Sequence, residues 1–150
     1  MSAHKATIEW QRETESFEYA EYNRDHMWRF EAVEVVASAA PGFYGNAARV
    51  DPEEAFVAGL SSCHMLTFLA FASKKGFVVD AYTDEATGVL AKNDDGKLAV
   101  TRVTLRPTIV FGGDKRPDAA AISRMHELAH KECFLANSVR TEVVVEQEND

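Results

Sequence analysis

The chain is poor in cysteine and proline and has no excess of positive charge. Of its 150 residues two are cysteine and four are proline, and the formal net charge is −8. Two cysteines cannot build the dense disulfide framework of a small secreted domain. A negatively charged protein has no general attraction for phosphate backbones, so we expect no nucleic acid partner.

The N-terminal residues also lack the apolar run of a signal peptide. The most apolar stretch, residues 55–72, is interrupted by Gly59 and by the polar run Ser61-Ser62-Cys63-His64. Such interruptions favour a buried helix over a membrane span. We therefore expect a cytoplasmic protein with no membrane partner. In a reducing compartment, two cysteines are more often reactive or metal-binding than a structural disulfide.

The remaining composition is that of a globular protein, with 46% hydrophobic and 27% charged residues. No repeat, low-complexity segment or linker interrupts the chain, which predicts a single domain over residues 1–150. Apolar residues and turn signals predict five strands, over residues 5–12, 27–36, 78–91, 97–111 and 139–146. A hairpin turn is predicted at residues 93–96. Strands in runs together with two long helices predict an α+β fold.

The first predicted helix has clear start and stop signals. Asp51 suits the capping position, Pro52 suits the first turn, and the two glutamates that follow favour the positive end of the helix dipole. We expect the helix to run to about Lys75 and to stop at Gly76. Because it is apolar on nearly every face, it is predicted to be central and buried.

The second helix is predicted to begin at Pro117 and to end near Asn137. Residues at helical spacing form its apolar stripe: Ile122, Met125, Ala129 and Cys133. Core packing is the plain interpretation of Cys133, and a thiol that forms a disulfide with Cys63 is the functional one.

Cys63 is the strongest candidate for chemistry. It lies in a polar run within an otherwise apolar helix, and because polar groups are costly to bury without partners, a functional need for polarity is indicated there. A reactive cysteine must be a thiolate, and the helix dipole fades before the middle of a helix. The nearest cation in sequence, His64, points ~100° away on a helix. Arg24, in the predicted turn before the second strand, is a better candidate, with Glu53 or Glu54 as the carboxylate that orients it. Turn formation and helix capping are the plain roles of these residues.

A metal site competes with this interpretation. His126, His130 and Cys133 are spaced i, i+4 and i+7, so they share one helix face, and with Cys63 they would make a four-ligand zinc site. Two solvated histidines explain the same spacing. A third hypothesis is a protein whose cysteines only pack in the core and whose dimer cleft binds an apolar ligand.

Three segments resemble the OsmC/Ohr family of thiol peroxidases. Residues 51–64 are similar to that family's helix opening and peroxidatic cysteine, residues 130–138 to its second-cysteine segment, and residues 22–26 to the turn that holds its catalytic arginine. The order of these segments and the strands between them also match. Phe134 stands where a proline commonly follows the second cysteine, and His64 stands where an aromatic residue is frequent. These differences concern the substrate and the reductant more than the reaction type.

The resemblance implies an intertwined α+β homodimer that reduces organic hydroperoxides, and hydrogen peroxide to varying extents, with no cofactor and no metal. It implies that Cys63 becomes a sulfenic acid and that Cys133 condenses with it. It also implies that Arg24 favours the thiolate and that Glu53 holds Arg24. The expected reductant is a dithiol, either of the lipoyl type or a small thiol.

Helix geometry adds an expectation about the dimer. Glu53 and Cys63 are ten residues apart on one predicted helix, which separates them by ~15 Å along its axis. The implied mechanism needs Glu53 to hold Arg24 and Arg24 to contact Cys63, and a glutamate side chain does not cover that distance. Two antiparallel helices in a twofold dimer remove the difficulty, because the start of one helix then lies near the middle of the other. We therefore expect Arg24 and Glu53 of one subunit to face Cys63 and Cys133 of the other.

Overall fold

The computed structural model describes residues 1–147, and the chain divides into two compact units, with the second beginning at Phe56. In chain order the elements are β1 (Thr7–Glu9), β2 (His26–Arg29), β3 (Glu34–Ala37), a 3-10 turn (Pro41–Phe43), α1 (Pro52–Lys74), β4 (Val78–Asp84), β5 (Thr87–Lys92), β6 (Leu98–Leu105), β7 (Pro107–Gly112), α2 (Ala119–Glu132), a second 3-10 turn (Ala136–Ser138) and β8 (Glu142–Val145). The predicted α+β class is confirmed.

The first unit is built on a three-stranded antiparallel sheet in the order β1-β2-β3. The prediction of one strand over residues 27–36 is wrong, because the chain reverses direction after Arg29. At this reversal the backbone N–H of Phe30 donates to the carbonyl of Val33 over 2.9 Å. The result is a tight hairpin that places β3 beside β2.

The second unit contains two separate sheets. β4 and β7 form an antiparallel pair, and β5, β6 and β8 form a three-stranded sheet in which β8 runs parallel to β6. The predicted hairpin turn between β5 and β6 is confirmed. The Asn93 side-chain oxygen accepts hydrogen bonds from the backbone of Asp95 and Lys97, and Gly96 adopts a φ of 72°.

The predicted strands over residues 78–91 and 97–111 are each wrong as single strands. The first is divided after Asp84 and the second at Arg106, whose backbone N–H donates to Asp84 Oδ1 over 2.6 Å. Because this contact removes Arg106 from the ladder, the chain changes sheets there. The alternating apolar residues are consequently divided between two cores.

Each core contains part of α1. Leu60 packs with Val103 and Leu105 of β6, whereas Phe68 belongs to a cluster with two residues of α2, Met125 and Ala129. All six side chains are at most 1% exposed. The two helices are thus packed together through apolar side chains at the Phe68 level of α1.

The start and end of α1 follow the predicted signals closely. Asp51 Oδ1 accepts a hydrogen bond from the Glu54 backbone, and Glu54 Oε2 accepts one from the Asp51 backbone, which is a complete capping box. The helix ends at Lys74, and Gly76 follows with a φ of 77°, a conformation that suits glycine at a helix end.

The burial of α1 is narrower than predicted. Only one stripe of side chains is buried, at a spacing of four residues: Leu60, His64, Phe68 and Ala72. On another face, Leu66 is 60% exposed. In a single chain, full burial of α1 is therefore limited to this stripe, which lies in the cores of the second unit. By length and composition alone α1 is apolar enough to cross a membrane, but its buried stripe is packed in the cores just described.

The second helix is shorter than predicted at both ends. Asp118 is its N-cap, with Oδ1 accepting from the Ala121 backbone over 2.7 Å, and the helix ends at Glu132 rather than near Asn137. The Asn137 side-chain amide donates to the Lys131 carbonyl over 3.0 Å and so caps the helix C-terminus. Cys133 therefore occupies the C-cap and not a helical turn.

Candidate active site

The two cysteines lie side by side in the second unit. Cys63 is on α1 and partly exposed, whereas Cys133 at the end of α2 is 1% exposed. Both are free thiols, and the Cys63 side chain is near enough to Cys133 to raise the pKa of the Cys133 thiol. The expected proximity of the two cysteines is therefore present, and one of them is more accessible than the other.

The surroundings of Cys133 keep its thiol protonated. Burial raises the pKa of Cys133, and the hydrogen bond with the Cys63 side chain raises it further. The Ala136 backbone N–H, 3.4 Å from Cys133 Sγ, acts in the opposite direction but does not reverse the shift. The pair thus combines a buried, protonated thiol with a neighbouring sulfur that solvent reaches.

The polar run around Cys63 has partners within the second unit. Ser61 donates a short hydrogen bond to the Asp84 carboxylate, and the Thr67 hydroxyl donates to the Cys63 carbonyl over 2.8 Å. The side chain of His64 turns into the core, as helix geometry predicts, and contacts His126. The polar groups next to Cys63 are therefore explained largely by structure and do not by themselves indicate chemistry.

His64 and His126 form a buried pair that the sequence did not predict. His64 Nε2 is 3.0 Å from His126 Nδ1, and the rings stack at 9° with centroids 5.3 Å apart. Burial lowers the pKa of each histidine to about 4, so both are neutral near pH 7. The prediction of two solvated histidines is wrong for His126, which is 3% exposed, and right for the exposed His130.

The predicted zinc ligands do not assemble. Within residues 1–147, no group of three or more histidine, cysteine or acidic side chains is arranged to hold a metal ion. His126 is instead paired with His64, and the two cysteines are paired with each other. The geometry therefore gives the zinc hypothesis no support.

Arg24 lies in the first unit among three tyrosines. Its guanidinium carbon is 3.5 Å from the ring centre of Tyr22 and 5.2 and 5.3 Å from those of Tyr19 and Tyr44. The guanidinium also donates to the carbonyls of Tyr22, over 2.5 Å, and Tyr19. Cation–π contacts and hydrogen bonds to backbone thus fix its orientation.

Arg24 and Glu53 line one cavity of about 290 Å³ in the first unit. Its remaining lining is mostly apolar and includes Phe43 and Pro52. No ion pair joins Arg24 to either candidate glutamate in the part of the chain that the structure covers. The carboxylate of Glu54 is engaged in the capping box, which leaves Glu53 as the candidate whose side chain is uncommitted there.

One residue of this cavity, His26, was not predicted as a site residue. It lies two positions after Arg24, and its ring contacts the Arg24 carbonyl over 2.7 Å. The spacing from Arg24 was the one sequence feature that could have indicated a role for His26, and a histidine near the start of a strand does not by itself indicate a functional site.

Comparison with known proteins places these features in context. A family model described as OsmC-like protein matches residues 45–148. A solved structure of an OsmC-like protein of unknown function from Vibrio cholerae is 49% identical, with a TM-score of 0.94 over 98% of this chain and 99% of that one.

More distant structures share the fold. An organic hydroperoxide resistance protein from Elizabethkingia anophelis is 19% identical, with a TM-score of 0.76 over 100% of this chain and 98% of its own. The organic hydroperoxide resistance protein OhrB from Bacillus subtilis is 19% identical, with a TM-score of 0.70 over 98% of both chains. No curated protein is significantly similar to this chain.

Proposed function

The chain belongs to the OsmC-like protein family, and we propose that it is a two-cysteine peroxidase that reduces organic hydroperoxides to alcohols. The observation that carries this proposal is a pair of neighbouring free thiols with unequal exposure, Cys63 partly exposed and Cys133 buried. Two similar structures with the same fold bear the name organic hydroperoxide resistance protein, which supports the substrate class.

The first step is attack by the Cys63 thiolate on the peroxide. A sulfur–oxygen bond forms as the oxygen–oxygen bond breaks, the alkoxide leaves and takes up a proton as an alcohol, and Cys63 becomes a sulfenic acid. Cys63 is assigned this role because a hydroperoxide must reach the sulfur, and Cys133 is 1% exposed.

The second step is condensation of Cys133 with the sulfenic acid. The Cys133 sulfur attacks the Cys63 sulfur, a disulfide forms, and the hydroxide leaves as water with the proton from the Cys133 thiol. A pKa held above its usual range suits this order, because Cys133 keeps its proton until the leaving group needs it. A dithiol, of the lipoyl type or a small thiol, then reduces the disulfide by exchange.

In this proposal Arg24 favours the thiolate of Cys63 and Glu53 orients Arg24. A guanidinium near a thiol favours its ionised form. Support for the roles of Arg24 and Glu53 is that both side chains line one cavity whose other walls are largely apolar. A cavity of that kind suits the organic part of a hydroperoxide.

The active unit is proposed to be a homodimer of single-domain chains in the cytoplasm. Glu53 and Cys63 lie ten residues apart on one unbroken helix, about 15 Å along its axis. An Arg24 side chain held by Glu53 of the same chain would therefore have to span most of this distance to contact the thiol. Antiparallel α1 helices from two subunits remove this conflict. They would also cover apolar side chains such as Leu66, which is 60% exposed in one chain.

The function is tested by peroxide consumption. The purified protein is mixed with cumene hydroperoxide and either dihydrolipoamide or no reductant. We expect continuous consumption with the dithiol and one equivalent per chain without it. Absence of any consumption beyond the protein-free rate contradicts the proposal and leaves a binding role for the cavity.

The shared site is tested by subunit exchange. Two variants are mixed under conditions in which mass spectrometry shows that subunits exchange: Cys63→Ser, which lacks the nucleophile, and Arg24→Ala, which is expected to turn over slowly. A shared site predicts recovered activity, because one heterodimer site combines an intact arginine with an intact cysteine. If heterodimers form and no activity returns, the shared-site model is wrong.

A further inference from the structure

A short chain of hydrogen bonds reaches the backbone of Arg24 from β2. The indole N–H of Trp28 donates to Nε2 of His26 over 2.8 Å, and Nδ1 of His26 lies 2.7 Å from the carbonyl oxygen of Arg24. All three residues lie in the first unit, and each is half-buried. The imidazole therefore connects a strand residue to the peptide that follows Arg24.

The partners determine which nitrogen of His26 carries hydrogen. An indole N–H is only a donor, so Nε2 of His26 must be the acceptor and carries no hydrogen. The carbonyl of Arg24 is only an acceptor, so Nδ1 must carry the hydrogen and donate it. The contacts thus select the neutral Nδ1–H tautomer and use both ring nitrogens.

The peptide before Arg24 is held in a similar way. The indole N–H of Trp10 donates to the carbonyl of Asn23 over 2.8 Å. The Asn23 side chain bridges the backbone of Gln11 and Glu13, with both distances at 2.9 Å. Both peptide groups that flank Arg24 are therefore fixed by side chains from neighbouring segments, which sets the direction in which the arginine side chain leaves the backbone.

We propose that His26 is a positioning residue for Arg24, acting through the Arg24 carbonyl, with Trp28 selecting its tautomer. This inference rests on the proposed function, because positioning matters only if Arg24 serves the thiol. His26 also lines the cavity shared by Arg24 and Glu53, so a change in its ring alters the wall beside the guanidinium. A guanidinium needs its position set accurately because its donors are arranged in a rigid plane.

The tautomer is tested without reference to activity. Long-range 1H–15N spectra of the imidazoles distinguish Nδ1–H from Nε2–H in the intact protein. We expect His26 to be the Nδ1–H tautomer at neutral pH, and Trp28→Phe to weaken this preference while keeping an aromatic ring, because the Arg24 carbonyl remains as an acceptor for Nδ1–H. A dominant Nε2–H tautomer in the unmodified protein would overturn the inference.

The positioning role is tested by alkylation of Cys63 against pH in a Cys133→Ser background. We expect His26→Phe to move the profile to higher pH in the same direction as Arg24→Ala but less far. His26→Gln should recover most of the shift, because an amide both donates and accepts. His130→Gln, at an exposed histidine, is the matched control and should leave the profile unchanged.

The outcomes separate this inference from the proposed function. If Arg24→Ala shifts the profile and His26→Phe does not, the inference is wrong and the role of Arg24 stands. If His26→Gln shifts the profile as far as His26→Phe, restoring a donor and an acceptor does not restore the position of Arg24, and the inference is again wrong. If neither Arg24→Ala nor His26→Phe has an effect, the proposed role of Arg24 fails as well.

Discussion

The surroundings of Arg24 and those of the cysteine pair are held by different forces. Arg24 is held by hydrogen bonds to carbonyls and by tyrosine rings, and many of these groups are exposed, such as Tyr19 at 63% and Tyr44 at 55%. Cys133 is instead buried at the end of a helix, next to a core that contains Met125 and Ala129.

This difference assigns different tasks to the two regions. Burial is what distinguishes one thiol from the other, so the order of reaction at the cysteines depends on packing. The position of Arg24 depends on a few directional hydrogen bonds, and substitution of a side chain such as His26 removes one of them. We therefore expect cysteine variants to change which chemistry occurs and variants around Arg24 to change how fast it occurs.

The largest effect is expected at the cysteines. Cys63→Ser should reduce peroxide turnover to the uncatalysed background, because the nucleophile is lost. Cys133→Ser should still reduce one equivalent of peroxide and should trap Cys63 as a sulfenic acid or an overoxidised form. Dimedone labelling followed by peptide mass spectrometry measures this directly. An inert Cys133→Ser variant beside a Cys63→Ser variant that reduces one equivalent would reverse the assignment.

A smaller effect is expected at Arg24. Arg24→Ala should move the alkylation profile of Cys63 to higher pH, because the proposed cation that favours its thiolate is lost. Arg24→Lys should recover little, because an ammonium cannot make the planar contacts of a guanidinium. Arg49→Ala is a useful control, since Arg49 pairs with Asp25 in the same unit. A profile that is unchanged in Arg24→Ala removes Arg24 from the site.

Structural features that depend on neighbouring residues were predictable from the sequence, whereas features that depend on contacts between distant residues were not. The capping box of α1, its glycine stop and the β5–β6 turn depend on neighbouring residues, and each was predictable. The change of sheet at Arg106 was not, because it depends on a contact with Asp84, 22 positions earlier. Pro107 in this stretch suggests an edge or a bulge, but it does not indicate a change of sheet.

The candidate site shows the same limit. Cys63 and Cys133 were predictable as a pair from their motifs, and their contact agrees with that expectation. The burial of His126 was not predictable, because its partner His64 is 62 positions away and histidines at that spacing on a helix also suit a solvated face.

A further effect, on stability and not on activity, is expected at the pair formed by His64 on α1 and His126 on α2. An unfolded histidine binds a proton near pH 6.5, whereas His64 and His126 bind one only near pH 4. Between these values the unfolded chain holds more protons, so stability is complete above pH 6.5 and is lost as the pH falls. The free energy of unfolding should therefore decrease as the pH falls from about 6.5 to about 4, and both histidines should contribute to the slope.

Urea denaturation at several pH values measures this slope. His126→Phe keeps a ring beside Phe68 and should lower the slope to that of one histidine. His4→Gln, at an exposed histidine near the N-terminus, should leave the slope unchanged. An equal slope in all three proteins would mean that the buried pair does not titrate as described.

The central claim is that Cys63 and Cys133 form a disulfide in response to a peroxide. Intact-mass spectrometry after one equivalent of cumene hydroperoxide tests it most directly. We expect the chain to lose the mass of two hydrogen atoms and a dithiol to restore the original mass. A chain that gains one or more oxygen atoms and never loses two hydrogens would contradict it.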